Sequence, residues 1–203
     1  MSPSATAAGP TSQPRRTAIL SAALSCFVRQ GYTATTVEDI CRASGASVGS
    51  IYHHFGGKDR IAAALYVDSL ADYQAGFLAT LRVHDDARSG VEALVRHHLR
   101  WVREHPDVAR FVLAVGETEV LAAAAAVLRR RNRTFFTAVG EWFALRPELP
   151  DLAPDLLEPL LLGPAQEFAR HWLAGRAVTT PEQAEDVLAA AAWHALTTTE
   201  ESR

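Results

Sequence analysis

Apolar residues recur along this chain at intervals of three and four, in stretches punctuated by glycine, proline and acidic pairs. Ile19, Ala22, Ala23, Cys26 and Phe27 follow the i, i+3, i+4, i+7, i+8 stripe of an amphipathic helix. Pro14 stands near its start and Gly31 just past its end, so the spacing predicts a helix from about Pro14 to Gln30. Thr35 and Glu38 stand at capping-box spacing, heading a helix of barely two turns that Gly45 stops. Ser47 can cap the next short helix, which puts Ile51 and Phe55 four apart on one face. Gly56-Gly57 breaks the chain, and a long helix follows from Lys58 to about Leu81.

Further helices are expected near Arg88 to Glu104, Pro106 to Val115 and Glu117 to Ala144, before the proline-rich loop "RPELPDLAPD". Pro159 and Pro164 leave two arrangements open: a kinked helix from Pro154 to Ala174, or a main helix whose first residue is Pro164. Thr180-Pro181-Glu182-Gln183 combines a capping box with proline at the first helical position and starts the last helix. No run alternates apolar and polar residues between turn signals as a strand would, so the fold class is all-α.

A chain of 203 residues suits one domain, or a compact domain with a small module attached. The opening "MSPSATAAGP" has neither the basic start nor the apolar stretch of a secretory signal, and residues 1–13 read as a disordered tail. The longest apolar run, Val120 to Leu128, is far shorter than the roughly 20 residues a bilayer requires, so the expectation is a soluble, cytoplasmic protein. Cys26 and Cys41 sit inside helical stretches and read as small buried hydrophobes. Charge is unevenly spread: residues 1–60 hold six basic and three acidic residues, the remainder 14 basic and 20 acidic. A basic amino-terminal module on an acidic body fits a chain that presents one end to a polyanion.

Gly45, Ser47 and Gly49 spell G-x-S-x-G, which also marks the nucleophile elbow of many hydrolases. An elbow needs a strand running into the serine, whereas Ser47 follows a capped helix. The other reading uses every letter. Two short helices joined at Gly45, with Ile40, Ala43, Ala46, Ile51 and Phe55 to bury between them, make a helix-turn-helix. Its second helix would enter the major groove amino end first, presenting Val48, Gly49, Ser50, Tyr52 and His53.

"TTVEDICRASGASVGSIYHHFGGKDRIAAAL" resembles the DNA-binding module of the TetR family of transcriptional regulators, over about residues 15–66. The resemblance implies a helix-turn-helix domain over residues 14–60 and a helical ligand-binding and dimerisation domain over 61–200. It implies that Thr36, Tyr52 and Lys58 grip phosphates while Ser50 and His53 lie near base edges, with Ser47, Val48 and Gly49 at the entering end of the helix. Val48 replaces a residue that is often polar there, leaving apolar contact as its direct readout.

In such proteins the body surrounds an apolar cavity for a small molecule, and Tyr66, Tyr73, Phe77, Trp101, Phe111, Glu117, Phe135 and Trp142 are the candidates to line it, with Glu167 a second carboxylate. Phe168, Trp172, Val187, Leu188, Ala191 and Leu196, beside small alanines, are candidates for a four-helix interface between two copies. His97, His98 and His105 lack a metal-ligand spacing and read as solvated surface histidines, and Arg129 to Arg133 as a solvated helix face; neither metal nor cofactor is expected. The long helix after Lys58 is expected to be the only element touching both module and body. These readings amount to a dimeric regulator, a repressor of a palindromic operator released by a small molecule. The alternatives are an activator, a regulator without a ligand, and a serine hydrolase using Ser47.

Overall fold

A computed structural model describes residues 12–115, 122 and 124–197. Among them the fold is all-α, with no strand. The helices are α1 (Ser12–Gln30), α2 (Val37–Ser44), α3 (Val48–His54), α4 (Lys58–Arg82), α5 (Ala87–Glu104), α6 (Pro106–Val115), α7 (Ala125–Ala144), α8 (Pro154–Leu173) and α9 (Pro181–Thr197). No described helix is long and apolar enough to cross a membrane. Most of the expected tail, residues 1–11, lies outside the described residues; Ser12 and Gln13 already belong to α1. Residues 116–121, which include Glu117 and the expected start of the seventh helix, also lie outside them.

The cap of α2 lies one residue later than expected. Thr36 Oγ1 accepts from Asp39 N at 3.1 Å, and the Asp39 carboxylate accepts from Thr36 N at 3.0 Å. Thr35 is buried instead, and its hydroxyl donates to the Gly31 carbonyl at 2.7 Å. Thr-Thr followed by Glu-Asp offers two registers for a capping box, and burial of Thr35 under α1 selects the second. Gly45 ends α2 at φ 65°, the left-handed conformation that favours glycine. At the last helix the box forms as read, Gln183 N donating to Thr180 Oγ1 at 3.4 Å and Thr180 N to Gln183 Oε1 at 3.0 Å.

Of the two arrangements left open by the prolines, one continuous helix is found, α8 containing both Pro159 and Pro164. Each proline removes one intrahelical N–H donor, and both side chains lie exposed while Leu161, Leu162, Ala165 and Ala169 are buried. The burial of that stripe holds the helix together across the missing donors.

Two principal cores result. In the amino-terminal core Ile19, Phe27, Ile40, Ile51, Phe55 and Ile61 pack together, joined by Phe111 and Val115 from α6. The larger core of the body unites α4, α5, α7, α8 and α9 around Leu94, Leu99, Val139, Leu161 and Leu196. The expectation that α4 alone bridges module and body is therefore corrected: α6 packs on α1 as well, Phe111 stacking on Phe27 with centroids 5.5 Å apart.

Candidate nucleic-acid interface and internal cavity

Helix α3 has two faces with opposite fates. Ile51 is fully buried and Phe55 nearly so, while Val48 is 45% and Tyr52 54% exposed, with His53 exposed beside them. An aromatic ring left half in water on a face with no packing partner is a feature that invites a ligand. At the amino end, Ser47 Oγ accepts from Ser50 N at 3.1 Å, satisfying one donor of the first turn. Ser47 thus works as a cap, and the segment before it is α2, not the strand that a nucleophile elbow requires. A Cβ added at Gly49 would meet the Ser47 hydroxyl at 4.0 Å, so the position opens outward and, as glycine, lets another surface approach the backbone closely.

Thr36 is exposed at the amino end of α2, where the Asp39 carboxyl is held down to about 2, chiefly by the backbone N–H of Thr36. Lys58 has an internal role. Its Nζ lies 4.5 Å from the centroid of the Tyr32 ring and donates to the carbonyls of Thr35 at 2.8 Å and Tyr32 at 3.0 Å. It thereby ties the start of α4 to the loop between α1 and α2, the loop that sets the position of Thr36. Arg16 adds a second tie, its guanidinium over the Phe55 ring and paired with Asp68 at 3.1 Å.

In the body, a cavity of about 310 Å³ opens between α4, α5, α6, α7 and α8. Tyr66, Tyr73, Phe77, Trp101 and Phe135 are on its wall, as expected. Two expected residues are not. Phe111 lies in the amino-terminal core, and Trp142 is buried with its indole N–H donating to the carbonyls of Leu81 and His84, both at 3.1 Å. Trp142 also packs on Gly90, whose missing side chain makes room for the ring. Glu117 lies outside the described residues, and Glu167 is exposed and paired with Arg170.

Polar groups missed from the sequence also line the cavity: Gln74, His98, Asn132, Glu158 and Gln166. Gln74 Nε2 donates to Asn132 Oδ1 at 2.9 Å. The reading of His97 and His98 as solvated is corrected. His97 is half-buried, its ring seated against Gly76, and His98 is buried with Nδ1 3.1 Å from the Tyr73 hydroxyl. Only His105 is exposed, resting on Trp101. The signal for His98 was present, since Val91, Leu94, Val95, His98, Leu99 and Val102 form one helical stripe. Asn132 likewise falls between Leu128, Phe135 and Val139 on the inner side of α7, while Arg129, Arg130, Arg131 and Arg133 are exposed as expected. No cluster of metal ligands occurs among the described residues.

Among the candidates for contact between copies, Val187 is 72% exposed and Ala191 is exposed, while Phe168, Trp172 and Leu188 are half-buried against the body. Leu196 is corrected to core: it is fully buried within its own chain, because the inner stripe of α9 runs through Ala189, Ala192 and Leu196 against α5.

A family model described as "Bacterial regulatory proteins, tetR family" matches residues 19–65. The transcriptional repressor KstR2 of Rhodococcus jostii is 37% identical over 81 residues, 40% of this chain and 40% of that protein. The transcriptional repressor AcnR of Corynebacterium glutamicum is 42% identical over 59 residues, 29% of this chain and 31% of that protein. The matched segments thus span less than half the length of these relatives. Among solved structures, the fatty acid degradation regulator FadR of Bacillus halodurans superposes with a TM-score of 0.72 at 17% identity, over 87% of this chain and 96% of that one. The regulator PfmR of Thermus thermophilus does so with a TM-score of 0.66 at 23% identity, over 88% and 93%.

Proposed function

We propose, because the chain belongs to the tetR family of bacterial regulatory proteins, that it is a dimeric transcriptional repressor which binds a palindromic operator and is released by a small molecule. The observation that carries the DNA-binding part is the exposed, unpacked face of α3, with Val48, Tyr52 and His53 turned to solvent above a buried Ile51. In this proposal residues 14–60 read DNA and 61–200 bind the effector and the second copy, while Ile61, Leu65, Phe111 and Val115 of the second part complete the amino-terminal core. Selection of bound DNA from a random-sequence pool by the full chain tests this reading. An enriched inverted repeat with half-sites one helical turn apart, about 34 to 36 Å, is expected. Failure to enrich any sequence overturns it.

Tyr52 and Thr36 hold phosphates in this reading, Ser50 and His53 face base edges, and Lys58 acts by organising the loop that presents Thr36, its charge adding to the local field. Tyr52→Ala is expected to weaken binding to every DNA sequence alike. His53→Ala is expected to relax preference at one base pair per half-site, by about 1 to 3 kcal/mol. Titrations on the selected operator and its single-base variants separate the two outcomes; equal loss on all of them for His53→Ala would move that residue to the backbone.

Val187 and Ala191, exposed on α9, with Phe168, Trp172 and Leu188 beside them, form the proposed face between copies. Coupling to DNA then runs through side chains that touch both ends. Tyr66 of α4 and Val112 of α6 each line the cavity and pack against the amino-terminal core. A ligand acts only by binding the two arrangements unequally, and pressure on these residues would tilt the module that Phe111 anchors. Val112→Ala is therefore expected to leave operator affinity nearly unchanged and to remove on the order of 1 kcal/mol of the ligand's effect on it. Operator titrations with and without a ligand found by thermal-shift screening read this directly; an undiminished ligand effect would exclude Val112 from the route.

A further inference from the structure

Among the described residues, one buried polar atom of the cavity-lining side chains has no hydrogen-bond partner. His98 is 8% exposed, its Nδ1 lies 3.1 Å from the Tyr73 hydroxyl, and its Nε2 is buried with no hydrogen-bond partner. A Tyr73 hydroxyl that donates to Nδ1 leaves the one ring hydrogen of a neutral His98 on Nε2. A buried N–H facing no acceptor is costly to leave unmade. Burial also pushes the Tyr73 phenol up and the His98 imidazole down to about 4, so this wall disfavours either sign of charge. Among the described residues the lining contains no lysine or arginine, and its one carboxylate there, Glu158, is exposed and accepts from Gln166 at 3.3 Å. An anionic ligand would meet a negative group and, among the described lining residues, no lysine or arginine. Apart from the neutral amides of Gln74, Asn132 and Gln166, the rest of the described lining is mostly ring and aliphatic carbon, with Tyr66, Phe77, Trp101, Phe135 and Phe136 prominent.

On the reading that this cavity holds the effector, we propose that the effector is an uncharged, largely cyclic molecule that places a carbonyl oxygen against His98 Nε2–H. The cavity of about 310 Å³ stands at the lower end of the roughly 300 to 1,000 Å³ of small-molecule sites, which favours a compact two- or three-ring skeleton over a long conjugate.

Three probes of one shape test it by calorimetry on the full chain: benzophenone, diphenylmethane, which lacks the carbonyl, and 4-benzoylbenzoate, which adds a carboxylate. Benzophenone is expected to bind about threefold to tenfold more tightly than diphenylmethane, and the carboxylate more weakly than either. His98→Phe is expected to erase the preference for the ketone while still binding the hydrocarbon. Tighter binding of the carboxylate, equal binding of ketone and hydrocarbon, no binding of the ketone, or a ketone preference that survives His98→Phe each overturns the proposal. The first two comparisons need no variant and stand even where His98→Phe fails to fold. Operator affinity in the presence of benzophenone is a separate arm. Selective ketone binding without a change in DNA affinity upholds the ligand chemistry and sinks the effector role of the cavity.

Discussion

Gly90→Ala is expected to destabilise the protein by about 3 kcal/mol, although alanine is the better helix former. Gly90 lies buried in α5, and a Cβ added there would fall 2.3 Å from the Trp142 ring. The ring cannot slide away freely, because its N–H is held between the carbonyls of Leu81 and His84 and its face is covered by Arg146 at 3.5 Å. Overpacking of this kind costs about 1 to 3 kcal/mol, and an indole N–H pulled from its buried acceptors adds about 1 to 3 more. The gain in helix propensity returns only about 1 kcal/mol. Gly140→Ala is the matched control, since Gly140 is exposed in α7 and a Cβ there meets nothing within 4 Å. It is expected to stabilise by up to about 1 kcal/mol. Urea midpoints of the two variants should move in opposite directions; a neutral Gly90→Ala would mean that the tryptophan repacks without loss.

The second large effect is proton-linked. Burial lowers His98 to about 4 from an ordinary value near 6.5, with the neighbouring His97 a smaller cause in the same direction. The folded protein therefore prefers the neutral ring, while the unfolded chain takes up a proton near pH 6.5. The stabilisation is fully present above that pH and declines as pH falls towards 4, by a total on the order of 3 kcal/mol. His97, also lowered by burial, contributes in the same sense. Asp39, held near 2 by hydrogen bonds from Thr36, loses its contribution only at lower pH, so the window between about 6.5 and 4.5 belongs to the histidines. His98→Phe is expected to weaken the fold at pH 7.5, where the Tyr73 hydroxyl loses its partner, yet to flatten the fall between pH 7 and 5. Stability curves at pH 7.5, 6 and 5 decide it, and an unchanged slope would place the proton uptake elsewhere.

The helix-turn-helix was legible because its determinants are local. Gly45 at positive φ, Ser47 as a cap, and Ile51 and Phe55 four apart are each a relation between residues within one or two turns, and all appear as read. The outward position of Val48, Tyr52 and His53 follows from the same periodicity. Even the misplaced cap was a choice between two adjacent threonines, decided when Thr35 was buried against α1. The stripe in α5 was equally local, and His98 escaped notice only because its polar identity outweighed its position on that stripe.

Other assignments depended on contacts between residues far apart in the chain. Phe111 and Trp142 are aromatics on amphipathic helices just as Tyr73 and Phe135 are, and periodicity marks all four as inward. Packing alone sends Phe111 onto Phe27, 84 positions before it in the chain, seats Trp142 on Gly90, and leaves Tyr73 and Phe135 around open space. The cavity is likewise a gap between five helices, so no single segment encodes it. Leu196 and Val187 belong to one helix with an apolar side and differ only in whether α5 lies against them. The sequence by itself determined the helices, their caps and the face that α3 presents, because backbone hydrogen bonding and side-chain period act over a few residues. The tertiary structure decided which inward faces meet, which leave a void and which polar atoms the void strands, because burial is a property of the partner as much as of the residue.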